Sequence, residues 1–139
     1  MSSPLPSPAS NRPATSEART AVAAARERAA AAGKHVAVLF GADWCPDSRS
    51  LNAALAHPLV APIVEPAFEV VHVDVGRRDR NLDLMAEYGM DVWQGIPALA
   101  VIEADGTLVG AQREGEFRTA RDLAPIEIAT AFHRWAKRE

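Results

Sequence analysis

Along the chain, apolar residues fall into helical spacing and short unbroken runs by turns, and each change of pattern marks an element boundary. Ser16 can cap a helix, with Glu17 in a first turn where the helix dipole favours a carboxylate. The run ARTAVAAARERAAAAG that follows is dominated by the best helix former and stops at Gly33, a C-terminal cap. HVAVLFGA, residues 35–42, is continuously apolar with β-branched residues and an aromatic, and it predicts a strand buried on both faces. Pro46 opens a second helix through Arg49, Leu51, Ala54 and Leu55, ending near His57-Pro58, with a short helical turn over Leu59–Val64. Phe68–Val75 (FEVVHVDV) reads as the second strand, broken by Gly76, and Asn81–Tyr88 as a helix closed by Gly89. Ile96–Glu103 and Thr107–Gln112 read as a third and fourth strand, and the Asp105-Gly106 pair between them is a strong hairpin signal. Ile128, Phe132 and Trp135 share one face of a last helix from about Pro125 to Lys137. Helix, strand, helix, strand, helix, hairpin, helix specifies an α/β sandwich around a mixed sheet, one domain over residues 17–139.

Composition adds mainly exclusions. The first sixteen residues, MSSPLPSPASNRPATS, scatter proline and serine and predict a disordered leader over 1–16. They lack the basic start and apolar run of a secretory signal, and no segment approaches a ~20-residue membrane span, so a cytoplasmic location is the expectation. With 139 residues the chain can bury a core without metal or disulfide support. Fifteen basic against eighteen acidic residues, a net charge of −3, leave no electrostatic footprint for nucleic acid or an anionic membrane. His35, His57, His72 and His133 fall in different elements, and phosphate-loop and dinucleotide glycine patterns are missing, so neither metal nor cofactor is expected. A single cysteine excludes a disulfide scaffold and any thiolate-rich zinc or iron–sulfur site within one chain.

That cysteine stands in Asp43-Trp44-Cys45-Pro46-Asp47-Ser48, at the junction of the first strand and the second helix. Proline at the first helical position places Cys45 at the N-cap. A thiolate there accepts helix N–H groups and sees the positive end of the dipole, and both effects favour the nucleophilic form. Ser48, at the third helical position, reaches back toward the cap. Its hydroxyl can hydrogen-bond a thiolate and cannot resolve a mixed disulfide, so any chemistry at Cys45 is monothiol. Each feature also has a plainer explanation. A lone cysteine is often a small buried hydrophobe, and Ser48 can be a helix-compatible polar residue. Trp44 and Trp93 can be packing, the simpler role for Trp93, and Asp43 and Asp47 charges near a helix start.

The segments VAVLFGADWCPDS (Val36–Ser48), VVHVDV (Val70–Val75), Tyr88-Gly89 and GIPALAVIEADG (Gly95–Gly106) resemble the thioredoxin-like superfamily. They are most similar to bacterial thioredoxin family proteins with a helix-first domain and a Trp-Cys-x-x-Cys site, and with the flanking helices the resemblance covers residues 17–137. It implies a thioredoxin-like fold, thiol–disulfide exchange at Cys45, and a cis-proline at Pro97 facing that cysteine. The cis bond would leave the backbone at Ile96 free to pair with a bound peptide. A substrate groove would then involve Trp44, Pro46, Trp93, Ile96 and Pro97. Four departures stand out. Ser48 replaces the resolving cysteine, and apolar Leu39 occupies the position of a buried acid. A longer loop, Met90–Gln94, brings Trp93 near the groove, and Arg113–Leu123 forms a long polar connection with no evident chemistry.

Three functions fit these residues. In the first, a single nucleophilic cysteine exchanges with protein or glutathione disulfides and is released by an external thiol, as a monothiol disulfide oxidoreductase. In the second, the chain is a non-redox peptide-binding or chaperone-like module. In the third, it is a resolving-cysteine-to-serine form of a dithiol disulfide reductase. Nothing in the chain specifies an oligomer, and a monomer is the expectation.

Overall fold

The computed structural model describes residues 16–137; of the leader expected over 1–16, all but Ser16, which opens the first helix, lies outside the described residues. The elements are α1 (Ser16–Ala32), β1 (His35–Gly41), α2 (Pro46–Ala54), α3 (Ala61–Ala67), β2 (Phe68–Asp74), α4 (Leu82–Glu87), β3 (Ala98–Ile102), β4 (Leu108–Ala111) and α5 (Pro125–Ala136). Single 3₁₀ turns lie at Val92–Gln94 and Ala120–Asp122. The four strands form one mixed sheet in the order β2-β1-β3-β4. β1 pairs parallel with β2 and antiparallel with β3, and β3 pairs antiparallel with β4.

The unbroken apolar run of β1 follows from its central place, because helices cover both of its faces. Val36, Val38 and Phe40 point to one side, where Ala25 and Ala29 of α1 and Leu84 and Met85 of α4 complete a core. Ala37 and Leu39 point to the other, against Leu51 of α2, Val64 of α3 and Ile128 and Phe132 of α5. The fully buried alanines of α1 let its backbone approach the sheet closely. The hairpin after β3 forms at Asp105-Gly106: Gly106 N–H donates to the Glu103 carbonyl (2.8 Å) and Thr107 N–H to Asp105 Oδ1 (2.9 Å). No described helix is long and apolar enough to cross a membrane.

Three segments differ from the sequence expectation. The turn expected at Leu59–Val64 is a helix, α3, that starts later and runs directly into β2. Strand β3 begins at Ala98 rather than Ile96, because Pro97 has no N–H to give to the ladder. The connection Arg113–Leu123 is polar in composition but anchored in the core. Phe117 and Ala120 are buried, with the Phe117 ring 5.7 Å from that of Phe132.

Candidate active site

Strand β1 ends at Gly41, and a tight turn carries the chain to Cys45, which caps α2 with an extended backbone (φ −84°, ψ 117°). Pro46 occupies the first helical position, where its missing N–H costs no hydrogen bond. Cys45 is 6% exposed, and its thiol lies 3.9 Å from the Ile96 carbonyl oxygen, to which it donates. The thiol makes no side-chain capping bond to α2; the contact with helix N–H groups is an expectation for the thiolate. The sulfur faces across to the lead-in of β3 instead of back along its own helix.

Ser48 is likewise engaged elsewhere. The residue is 3% exposed; its hydroxyl accepts a hydrogen bond from Ala42 N–H at 3.2 Å, and no hydrogen bond joins it to Cys45. The neighbouring glycine makes room for this arrangement, since a side chain at Gly41 would meet Ser48 Oγ at 2.8 Å. Behind Ser48 lies a cavity of about 120 Å³ bordered by Leu39, Gly41, Asn52, His72 and Pro97. His72 pairs with Leu39 across β1 and β2, and desolvation holds its imidazole below the ordinary pKa. The Ile96–Pro97 peptide bond is cis, and both residues are buried.

On the Cys45 side is a second, larger groove of about 580 Å³ that brings together Trp44, Cys45, Pro46, Trp93 and Ile96. Ser48 and Pro97 line the smaller cavity instead. Trp44 is 36% exposed, with its indole N–H donating to the Gly76 carbonyl at 2.6 Å. Trp93 is 72% exposed, which overturns the simpler expectation that it is partly buried packing. Asp91 Oδ1 accepts from Trp93 N–H at 2.9 Å and so starts the 3₁₀ turn that projects the indole outward. A charge near a helix start is explanation enough for Asp43, but Asp47 has a further role. It accepts from Arg121 N–H at 3.0 Å and ties the connection before α5 to α2.

Two groove residues carry no motif in the sequence. Arg78, in the loop after β2, sets its guanidinium carbon 5.2 Å from the ring centroids of both Trp44 and Trp93. Arg118, in the connection before α5, lies against Gly95, where an added side chain would meet its Cβ at 2.6 Å. A cluster of arginines after β2 and the lone Phe117 in an otherwise polar stretch were the available signals. Neither says which residues they face. Among the described residues no group of three His, Cys, Asp or Glu side chains is placed to hold a metal ion.

The family model described as thioredoxin-like matches residues 17–104, more than half of the chain. No curated protein matches the sequence. Among solved structures, the chain is similar to a disulphide isomerase from Xylella fastidiosa Temecula1 at 34% identity and a TM-score of 0.83, with 88% of this chain and 93% of that one covered. The reduced C-terminal domain of DsbD from Neisseria meningitidis aligns at 23% identity and a TM-score of 0.58, covering 89% of this chain and 96% of that domain. A DsbH oxidoreductase aligns at 18% identity and a TM-score of 0.53, covering 92% and 96%. These last two likenesses concern the fold alone. By the family match and the relative at 34% identity, the chain belongs to the thioredoxin-like family.

Proposed function

We propose that the protein carries out thiol–disulfide exchange through Cys45 alone. The observation that carries this reading is the position of Cys45, at the proline-started N-terminus of α2 and lining an open groove between two tryptophans. The structural relative described as a disulphide isomerase supports the same chemistry.

In the first step the Cys45 thiol loses its proton to solvent, and the sulfur leaves the Ile96 carbonyl, which can accept from a thiol but offers nothing to a thiolate. The thiolate attacks one sulfur of a substrate R–S–S–R′. The Cys45–S bond forms as the S–S bond breaks, and R′S⁻ departs and takes up a proton from water. Ser48 holds the turn at Ala42 and has no thiol to continue the reaction. An external thiolate R″S⁻ therefore attacks the mixed disulfide, which regenerates Cys45 and releases R–S–S–R″. The substrates are disulfides of proteins or of glutathione.

The test is capture. The protein incubated with a disulfide-bonded protein should accumulate a one-to-one adduct through Cys45, seen by intact mass spectrometry. Excess dithiothreitol should release it, and Cys45→Ser should form none. Absence of an adduct while the free thiol remains titratable in the unfolded chain overturns the reading.

A second function is favoured by one observation, the near-complete burial of Cys45 and its thiol's donation to Ile96. These suit a module that holds peptide without exchanging with it. In that case Cys45→Ser retains the partners of the parent protein, and no partner is bound covalently.

A further inference from the structure

The chain as a whole is acidic, yet the groove over Cys45 presents two arginines without acidic partners. The ion pairs among the described residues engage Arg19, Arg28, Lys34, Arg80 and Arg121, and neither Arg78 nor Arg118. The carboxylate that lines the groove, Asp47, is already satisfied by the Arg121 backbone at 3.0 Å, with the Arg121 guanidinium 3.8 Å away. Arg118 donates to the Glu114 carbonyl at 2.7 Å, a neutral acceptor that leaves its charge uncompensated. Arg78 is clasped between the Trp44 and Trp93 indoles, and its Nε is buried with no hydrogen-bond partner. Stacking occupies the faces of a guanidinium and leaves its terminal in-plane N–H groups for an anion, and that pair matches a carboxylate.

We propose that Arg78 and Arg118 select the substrate of Cys45: a disulfide in an acidic stretch of polypeptide, with carboxylate side chains flanking the reacting sulfur. The inference rests on the exchange reading of Cys45. A peptide rather than a small molecule is indicated by the shape of the groove. Sites for small ligands enclose most of the ligand surface, whereas this one is open, with Trp93 72% exposed along it. Its two cations come from separate segments, one after β2 and one before α5, so they can meet carboxylates at separate positions along a chain. The tryptophans hold Arg78 in place and offer apolar surface to the intervening residues.

Iodoacetate and iodoacetamide test the charge term directly, because they alkylate a thiolate by the same displacement and differ in one carboxylate. The ratio of their rates cancels the thiolate fraction. Against an unfolded chain in urea as reference, the folded protein should favour iodoacetate by about five-fold at low ionic strength, and the preference should fall as salt rises toward about 0.5 M. Arg78→Met and Arg118→Met should each remove a several-fold part of it, and Arg78→Lys should keep most of it. A ratio equal to that of the unfolded chain, or one that rises with salt, overturns the proposal without any variant having to fold.

A second measurement identifies the source of the carboxylate. Peptides carrying cysteine as a 2-thiopyridyl disulfide, flanked by Glu or by Gln, should form the Cys45 adduct at rates differing about five-fold in favour of Glu. Equal rates overturn the proposal, and so does glutathione activated in the same way if it outpaces the Glu peptide. The two readings fail differently. A Cys45 that reacts with neither alkylating reagent sinks the exchange reading and this one together. One that reacts with both and shows no charge preference sinks this one alone.

Discussion

Ser48→Ala separates two roles that the sequence left joined, support of the thiolate and support of the turn. In the folded protein the hydroxyl accepts from Ala42 N–H at 3.2 Å, and both residues are buried. Alanine leaves that N–H without its partner, and orphaning a buried donor costs about 1–3 kcal/mol. Two features place the cost in the lower half of that range. The bond is at the long end of the normal N–H···O distance, and the cavity of about 120 Å³ beside Ser48 gives a water molecule access to the freed group. The better helix propensity of alanine returns a few tenths of a kcal/mol. The net expectation is a loss of about 1–1.5 kcal/mol, or a melting temperature lower by about 3–6 °C for a domain of this size. Urea unfolding should show a lower midpoint at unchanged slope. The iodoacetamide rate of Cys45 should stay within about two-fold of the parent, since no hydrogen bond links the two side chains. Unchanged stability with a several-fold slower alkylation would refute the reasoning, because the hydroxyl would then be serving the sulfur and not the turn.

Three further outcomes follow from the packing and the charges. Phe132→Ala should cost about 3–5 kcal/mol in urea unfolding, since its fully buried ring meets those of Phe68 and Phe117 at 6.0 and 5.7 Å; a loss under about 1.5 kcal/mol would mean that the α5 core is not close-packed. Gly115→Ala should destabilise by about 1–3 kcal/mol and weaken the preference for iodoacetate. Gly115 has φ +69°, and a side chain there runs into the Gln94 carbonyl and the Arg118 guanidinium; a variant that matches the parent in both assays contradicts that contact. The Glu69 carboxyl is held below the usual carboxylate range, first by its hydrogen bond from Arg28 and then by that from Lys34. A depressed folded value makes its stabilisation complete above the ordinary carboxylate range and lost as pH falls through the folded value. Glu69→Gln should therefore cost up to about 1 kcal/mol near neutral pH, and the gap should shrink as pH falls below the ordinary carboxylate range. A gap that widens on acidification reverses the sign and removes the ion pair from the account.

What could be read from the sequence was local or periodic. The run at 35–41 announces a central strand because both of its faces are covered, and Cys45-Pro46 announces a helix start because proline fits the first helical position on its own account. The stripe Ile128, Phe132 and Trp135 is buried on α5 for the same periodic reason. Side-chain direction is another matter. Cys45 and Ser48 sit where the spacing places them, but each hydrogen-bonds to a separate backbone group, at Ile96 and at Ala42, and not to the other. A pattern of positions does not say which of two available acceptors or donors a side chain turns toward. Helix α3 was legible only as a turn, because Ala61–Ala67 contains two prolines; Pro62 is tolerated in the first turn, and Pro66 falls in the last.

The arrangement of Trp44, Arg78 and Trp93 was illegible for a different reason: each residue had a sufficient local explanation, and the three come from separate segments. A short chain of backbone contacts makes their meeting necessary. Asn81 donates from its side chain to the Asp74 carbonyl at 2.7 Å, and Gly76 N–H returns to Asp74 Oδ1 at 3.0 Å, which curls the loop after β2 back on its own strand end. The Gly76 carbonyl then receives the Trp44 indole, so the contact that anchors Trp44 also brings Arg78, two residues further on, alongside its ring. Asp91 fixes the turn that presents Trp93 from the other side. The anchors are polar groups of ordinary loop residues, whose sequence signature is that of any turn. Two indoles with a guanidinium between them above a cysteine are thus a consequence of how three turns are tied down. On this account a position outside the groove matters as much as one that lines it. Asn81→Leu should release the loop, and with it lower the iodoacetate preference about as far as Arg78→Met does, while Arg78 itself is intact.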